Sequence, residues 1–211
     1  MRSLVCAAAL VCAALAAPRA TACENGVAIE VDPRIDLVMS ANAALDKDDP
    51  ALAAKRALAA FPKLRTAALD AGLRGKAMRA MAVAIVRLDG AVSAGPDFRA
   101  VDREANYVWA VRVLRGISIK RATDPSALTD LGEALAARSA TRPEARKILE
   151  LLAQRDLVTN AYGWAALARA RIAAGDTAGR ADAVARCAKM ARTIAVCKVR
   201  GDAPDEKPKS S

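Results

Sequence analysis

The stretch that decides the fold is Asn160-Ala161-Tyr162-Gly163-Trp164-Ala165-Ala166-Leu167-Ala168-Arg169-Ala170-Arg171-Ile172-Ala173-Ala174-Gly175-Asp176. A run of strong helix formers, Asn160 to Ala174, leads up to a Gly-Asp stop. After that stop, Ala181, Val184, Ala185 and Ala188 recur at helical spacing on a second run, Gly179 to Arg192. Two amphipathic helices joined by a short turn have to fold back on each other to bury those faces.

The same grammar extends toward the N-terminus. Helical runs are expected over Ile35–Leu45, Ala51–Phe61, Ala77–Leu88, Arg99–Ile119, Ser126–Arg138 and Pro143–Arg155. Breakers separate them: Asp46-Lys47-Asp48-Asp49-Pro50, Pro62, Gly95-Pro96, Asp124-Pro125 and Thr141-Arg142-Pro143. Asp49 and Asp124 precede a proline suited to a first helical turn, so each reads as a cap. Composition agrees with an all-α chain. Of 211 residues 54 are Ala, six are aromatic, and 54% are hydrophobic, which argues against a β-sandwich, a barrel or a disordered chain.

The hairpins share a spacing. Trp164-x-x-Leu167-Ala168 is matched by Leu128-x-x-Leu131-Gly132-x-x-Leu135, Met78-x-x-Met81-Ala82-x-x-Ile85 and Val38-x-x-Ala41-x-x-x-Leu45. The second helices carry Ala54-x-x-x-Leu58-x-x-Phe61, Ala110-x-x-x-Leu114-x-x-Ile117, and Ala145 with Leu149 and Leu152. Across Ile35–Met190 this resembles the tetratricopeptide repeat, with Ala82, Gly132 and Ala168 where that repeat brings its two helices together. The anchors Val38, Met78, Leu128 and Trp164 depart from a fixed period, lying 40, 50 and 36 positions apart. An Ala-rich helical bundle without a repeat satisfies the same periodicity.

The resemblance implies a short right-handed α-solenoid of about four antiparallel hairpins spanning residues 35–200. It also implies a groove lined by the first helix of each pair, holding a partner's segment. The groove positions that carry over are Lys76 and Arg79, Thr129 and Glu133, and Tyr162 and Arg169. The family's Asn positions do not match, and the basic character favours an acidic or C-terminal peptide.

The N-terminus reads as an export signal over residues 1–22. Arg2 precedes 14 uninterrupted apolar residues, Leu4–Ala17, then Pro18 and the small-x-small site Ala20-Thr21-Ala22. Fourteen residues are too short for a hydrocarbon core ~30 Å thick. The address is therefore the periplasm or the bacterial cell envelope. Ala20-Thr21-Ala22-Cys23 resembles a lipoprotein cleavage site, with Ala20 where Leu is usual and Arg19 just upstream. Cysteine parity leaves two readings. Either Cys23 is acylated and anchors the chain to the membrane while Cys187 and Cys197 pair, or Cys23 pairs with one of them and leaves a thiol. A Cys187–Cys197 bridge requires the chain to leave the helix between them, with Thr193-Ile194-Ala195-Val196 as an extended return. Residues 23–34 form a lead-in, and the Pro/Lys/Asp/Ser-rich residues 201–211 are expected to be disordered.

Catalytic chemistry finds no constellation. The absence of His excludes Ser-His-Asp and Cys-His catalysis and imidazole-ligated metal, and no metal or cofactor is expected. Ser93, Ser118 and Ser126 lack a base of that kind, Asp48-Asp49 is explained by capping, and Ala71-Gly72-Leu73-Arg74-Gly75-Lys76 lacks the spacing of a phosphate loop. Glu133, the best isolated acid, is expected to be a partly exposed helical residue. The reading is a non-enzymatic adaptor. A net charge of +10 with interspersed acids and no interleaved aromatics argues against nucleic acid. It leaves electrostatic attraction of a lipid-anchored protein to anionic envelope polymer as the alternative.

Overall fold

The computed structural model describes residues 32–198. The export signal, Cys23, most of the lead-in and the 201–211 tail lie outside the described residues.

Eight α-helices run in order: α1 Arg34–Asp46, α2 Pro50–Ala60, α3 Leu73–Arg87, α4 Arg103–Lys120, α5 Pro125–Ala136, α6 Arg142–Ala153, α7 Ala161–Ala173 and α8 Thr177–Met190. Two 3-10 turns, Ser139–Thr141 and Ile194–Cys197, complete the secondary structure, with no strand among the described residues. Local sequence explains most boundaries. Asp49, Asp124, Asn160 and Asp176 each accept a backbone N–H of the following first turn, satisfying donors a helix start leaves orphaned. Gly175 ends the α7 segment with φ +76°, the left-handed turn expected at that Gly-Asp stop.

Two starts differ from expectation by four residues, and the other six fall within two residues of it. Helix α3 begins at Leu73, four residues before Ala77, because the Asp70 carboxylate accepts the Gly72 and Gly75 N–H groups and nucleates the turn early. Helix α4 begins at Arg103 and not Arg99, because Arg99 and Asp102 close a separate turn in which the Asp102 N–H donates to the Arg99 carbonyl. Thr141 does not cap α6; its hydroxyl donates to the Leu135 carbonyl at 2.6 Å instead.

Each helix packs on the next in sequence, and the odd-numbered helices also pack on one another, α1 on α3, α3 on α5 and α5 on α7. Among the described residues no two even-numbered helices pack together in this way. The odd helices are therefore covered on several sides. Ten of the fifteen α3 residues and eight of the thirteen in α7 are buried, against three in α6 and two in α8. This explains why α6 shows one clear apolar face and α7 is apolar almost all round. Small residues make the close packing feasible: Ala82 and Ala168 are fully buried. A Cβ on Gly132 would stand 2.6 Å from the Leu149 side chain of α6.

Cys187 and Cys197 are joined by a disulfide with Cα atoms 5.8 Å apart. The chain leaves α8 at Ala191, which is extended, and returns as the 3-10 turn Ile194–Cys197 in place of the expected extended segment. Ten residues of straight helix could not bring the two sulfurs together.

Candidate functional site

The site is built on the odd-helix row. Arg79, Val83 and Arg87 recur every four residues on α3, so they stand on one face one turn apart. Asp130 and Glu133 are three apart on α5 and meet that face with opposite charge. Arg79 Nε donates to Asp130 Oδ2 at 2.6 Å, and its Nη1 donates to Asn42 Oδ1 of α1 at 3.2 Å. Two turns further along α3, Arg87 Nε donates to Glu133 Oε1 at 3.0 Å and its Nη1 to the Leu45 carbonyl at 3.1 Å. The Arg87 guanidinium lies 3.8 Å from the centre of the Tyr162 ring on α7. A polar ladder thus ties α1, α3, α5 and α7 together across the row.

These groups are withdrawn from water to different degrees. The Arg87 and Glu133 side chains are each 7% exposed and Asp130 is 2%, whereas Arg79 retains 29%. Burial pushes the Asp130 carboxyl up to about 6, assisted by nearby Glu133; Arg79 and Arg87 pull the other way and do not cancel it. Burial acts to lower the Arg87 guanidinium, and the Glu133 carboxylate more than offsets it, leaving Arg87 above its ordinary value.

An acid whose folded value is raised gives its stabilisation below the unfolded value and loses it as pH rises through the folded one. Wild-type stability should therefore contain a component that is full below the ordinary carboxyl value and lost as pH climbs through about 6. Asp130→Asn should flatten that part of the profile. Urea midpoints at pH 4.5, 5.5 and 7 measure it; the same slope in both proteins would contradict the assignment.

Two cavities open beside the ladder. The larger, about 420 Å³, is lined by Arg87, Glu133, Arg142, Tyr162, Arg169 and Lys198 among others. The smaller, about 310 Å³, takes in Asn42, Asp48, Arg79, Arg87, Tyr162 and Arg192. Basic side chains outnumber acidic ones around the larger, four to two; Glu133 and Arg87 offset each other there, and Asp89 is paired with Arg103 and Arg138. Half-buried Arg169 forms no ion pair among the described residues, so its charge is available to the cavity.

The structure reorders the residues expected from sequence. Glu133, Tyr162 and Arg169 come together at the larger cavity, and Arg79 lines the smaller. Lys76 reaches neither cavity. It is exposed beside Asp70, Lys120 and Arg121 in a third depression, which Arg79 also lines. Thr129 is fully buried, its Oγ1 accepting the Thr159 N–H at 3.4 Å and its methyl standing against Gly163 of α7. It is a packing residue between helices and cannot meet a partner. Glu133 is a buried, paired carboxylate, not the partly exposed helical acid expected. Sequence reasoning did not find Arg87, Asp130, Asn42, Asp48 or Val196. Arg87 had a signal, the four-residue step from Arg79 and Val83; Asn42 and Val196 come from remote parts of the chain and had none.

Among the described residues no group of His, Cys, Asp and Glu is placed to hold a metal ion. No described helix is long and apolar enough to cross a membrane. No protein-family model, curated protein or solved structure matches the chain.

Proposed function

We propose that the chain is an exported, non-enzymatic adaptor of the bacterial cell envelope, a short tetratricopeptide-like solenoid whose odd helices line a face for an acidic partner segment. The order in which helices pack supports the solenoid reading. Every even helix of the interior touches the odd helix before it and the one after it, as stacked antiparallel hairpins require. The observation that carries the binding reading is the larger cavity, whose lining includes half-buried Arg169 with Arg142 and Tyr162. A half-buried arginine with no acidic partner attracts an anionic group more strongly than a solvated one does.

The test is site-specific photo-crosslinking from the neighbourhood of the cavity in the native host's envelope fraction. Arg169→Glu should reduce the recovered partner by roughly tenfold, the scale of removing one charge-assisted hydrogen bond and adding one repulsion. Arg79→Glu should cost less, since part of its charge is already committed to Asp130. Equal recovery from all three proteins would sink the assignment of this face.

Export and anchoring rest on the N-terminal sequence. The expected mature protein begins at Cys23, with Cys187 and Cys197 appearing as thiols only after reduction. Intact mass before and after reduction reads both, and added lipid mass on Cys23 would place the partner search at a membrane surface. A chain retaining residues 1–22 in the envelope would overturn the cleavage.

A further inference from the structure

The segment after α8 does more than close a disulfide. Val196 lines both cavities, as Arg87 and Tyr162 do, so the 191–198 segment borders the odd-helix face at both. At one end the segment is held by the Cys187–Cys197 bond. At the other, Thr193 Oγ1 donates to Asp48 Oδ2 at 3.1 Å, reaching the α1–α2 turn 145 positions away in sequence. Its own packing is slight: Cys197 is its one buried residue, and Ile194 is 60% exposed. A single 3-10 turn has little intrinsic stability, so the covalent end and one exposed hydrogen bond keep it in place.

We propose that residues 191–198 are an intramolecular strap covering the partner-binding face, and that the Cys187–Cys197 bond holds it shut. This rests on the reading of the odd-helix face as the binding face. With the bond closed, the loop ends stay together and the strap occupies the face at high effective concentration. A dithiol that reduces the Sγ–Sγ bond to two thiols, itself being oxidised to a disulfide, releases one end. The strap then competes with an incoming segment through weak contacts alone, and Tyr162 and Arg87, which line both cavities, gain exposure.

Nitration of Tyr162 by tetranitromethane, read by peptide mass, tests this in three full-length proteins: wild type, Cys187→Ser/Cys197→Ser, and Thr193→Val, which keeps the bond and loosens the far end. Tyr162 should react at least about fivefold faster in the double-serine protein and about twofold faster in Thr193→Val, the mark of local opening. Amide exchange in α5 should stay at its wild-type level, showing that the helices remain folded. Equal nitration in all three overturns the strap. So does reduced α5 protection in the double-serine protein with no change in Thr193→Val, because the bond would then be a staple of the fold. The crosslink near Arg169 separates this inference from the one beneath it. A crosslink abolished in Arg169→Glu yet no stronger without the disulfide overturns the strap and leaves the binding face standing. Faster nitration with a crosslink indifferent to Arg169→Glu overturns the binding face.

Discussion

Glu133→Leu is expected to lower the unfolding free energy by about 3–5 kcal/mol, the cost of stranding a buried charge whose partner has been removed. The Arg87 guanidinium is only 7% exposed, at the edge of the two cavities, so it stays largely desolvated once the carboxylate is gone. Its remaining contacts, a hydrogen bond to the Leu45 carbonyl and the Tyr162 ring face, do not neutralise it. Removing both charges should be far milder. Arg87→Met/Glu133→Leu replaces the pair by apolar groups of similar length, and such replacements are often close to neutral. Recovery should fall short of complete, because the Leu45 carbonyl then loses one of its two donors, about 0.5–1.5 kcal/mol, and keeps the Asp48 N–H. Urea denaturation of the wild type, the two single variants and the double variant gives the cycle. A cost below about 1 kcal/mol for Glu133→Leu, the range of surface pairs, would mean that the α3–α5 pair is solvated.

Asn106→Leu is expected to cost about 3 kcal/mol, because one buried side chain makes three hydrogen bonds worth about 1 kcal/mol each, although each partner keeps one other bond. Asn106 is fully buried near the start of α4. Its Nδ2 donates to the Gly90 carbonyl at 3.0 Å and to the Arg99 carbonyl at 2.9 Å, while its Oδ1 accepts from Arg65 Nη1 at 2.8 Å. The long connection between α3 and α4 has no secondary structure of its own, and these bonds pin it at two points. Phe98 gives that loop an apolar anchor, fully buried edge-on to Trp109 with ring centres 5.0 Å apart. Arg65 also lies over the Phe98 ring, at 5.1 Å, so losing one of its two acceptors, with only the Asp97 carbonyl left, loosens the anchor. Asn106→Asp should be nearly as harmful, since a carboxylate cannot donate to the two carbonyls. Denaturant unfolding gives the magnitude, and amide exchange over residues 88–102 should show the loop opening first. A loop as protected in the variant as in the wild type would contradict the role assigned to Asn106.

The helices were legible because each one is written locally. Caps such as Asp49, Asp124 and Asn160 bond within three residues of themselves, so a reader of the chain meets donor and acceptor together. The misplaced starts have a common cause in turns outside the helix: Asp70 reaching forward to Gly75, and the Arg99–Asp102 turn that delays α4. The candidate site was legible by half. Repeat spacing placed Arg79, Glu133, Tyr162 and Arg169 near one face, but spacing cannot distinguish a groove-lining residue from one pressed against the next helix. Thr129 failed for that reason. Its neighbour Gly163 leaves room for the Thr methyl, and that closeness depends on how α5 and α7 meet.

Amino-acid order alone determined the all-α class, the eight helical runs, the breakers between them and the pairing of Cys187 with Cys197 as one of two readings of the cysteine parity. These follow from backbone propensity, periodicity and capping, all short-range. Tertiary structure decided which charges are buried, that Glu133 is committed to Arg87, and that Asp130 is pushed up among them. It also decided that Val196 borders two cavities and that Thr193 is bonded to Asp48. Dielectric environment and contact across 145 residues are properties of packed helices, and no window along the chain contains them.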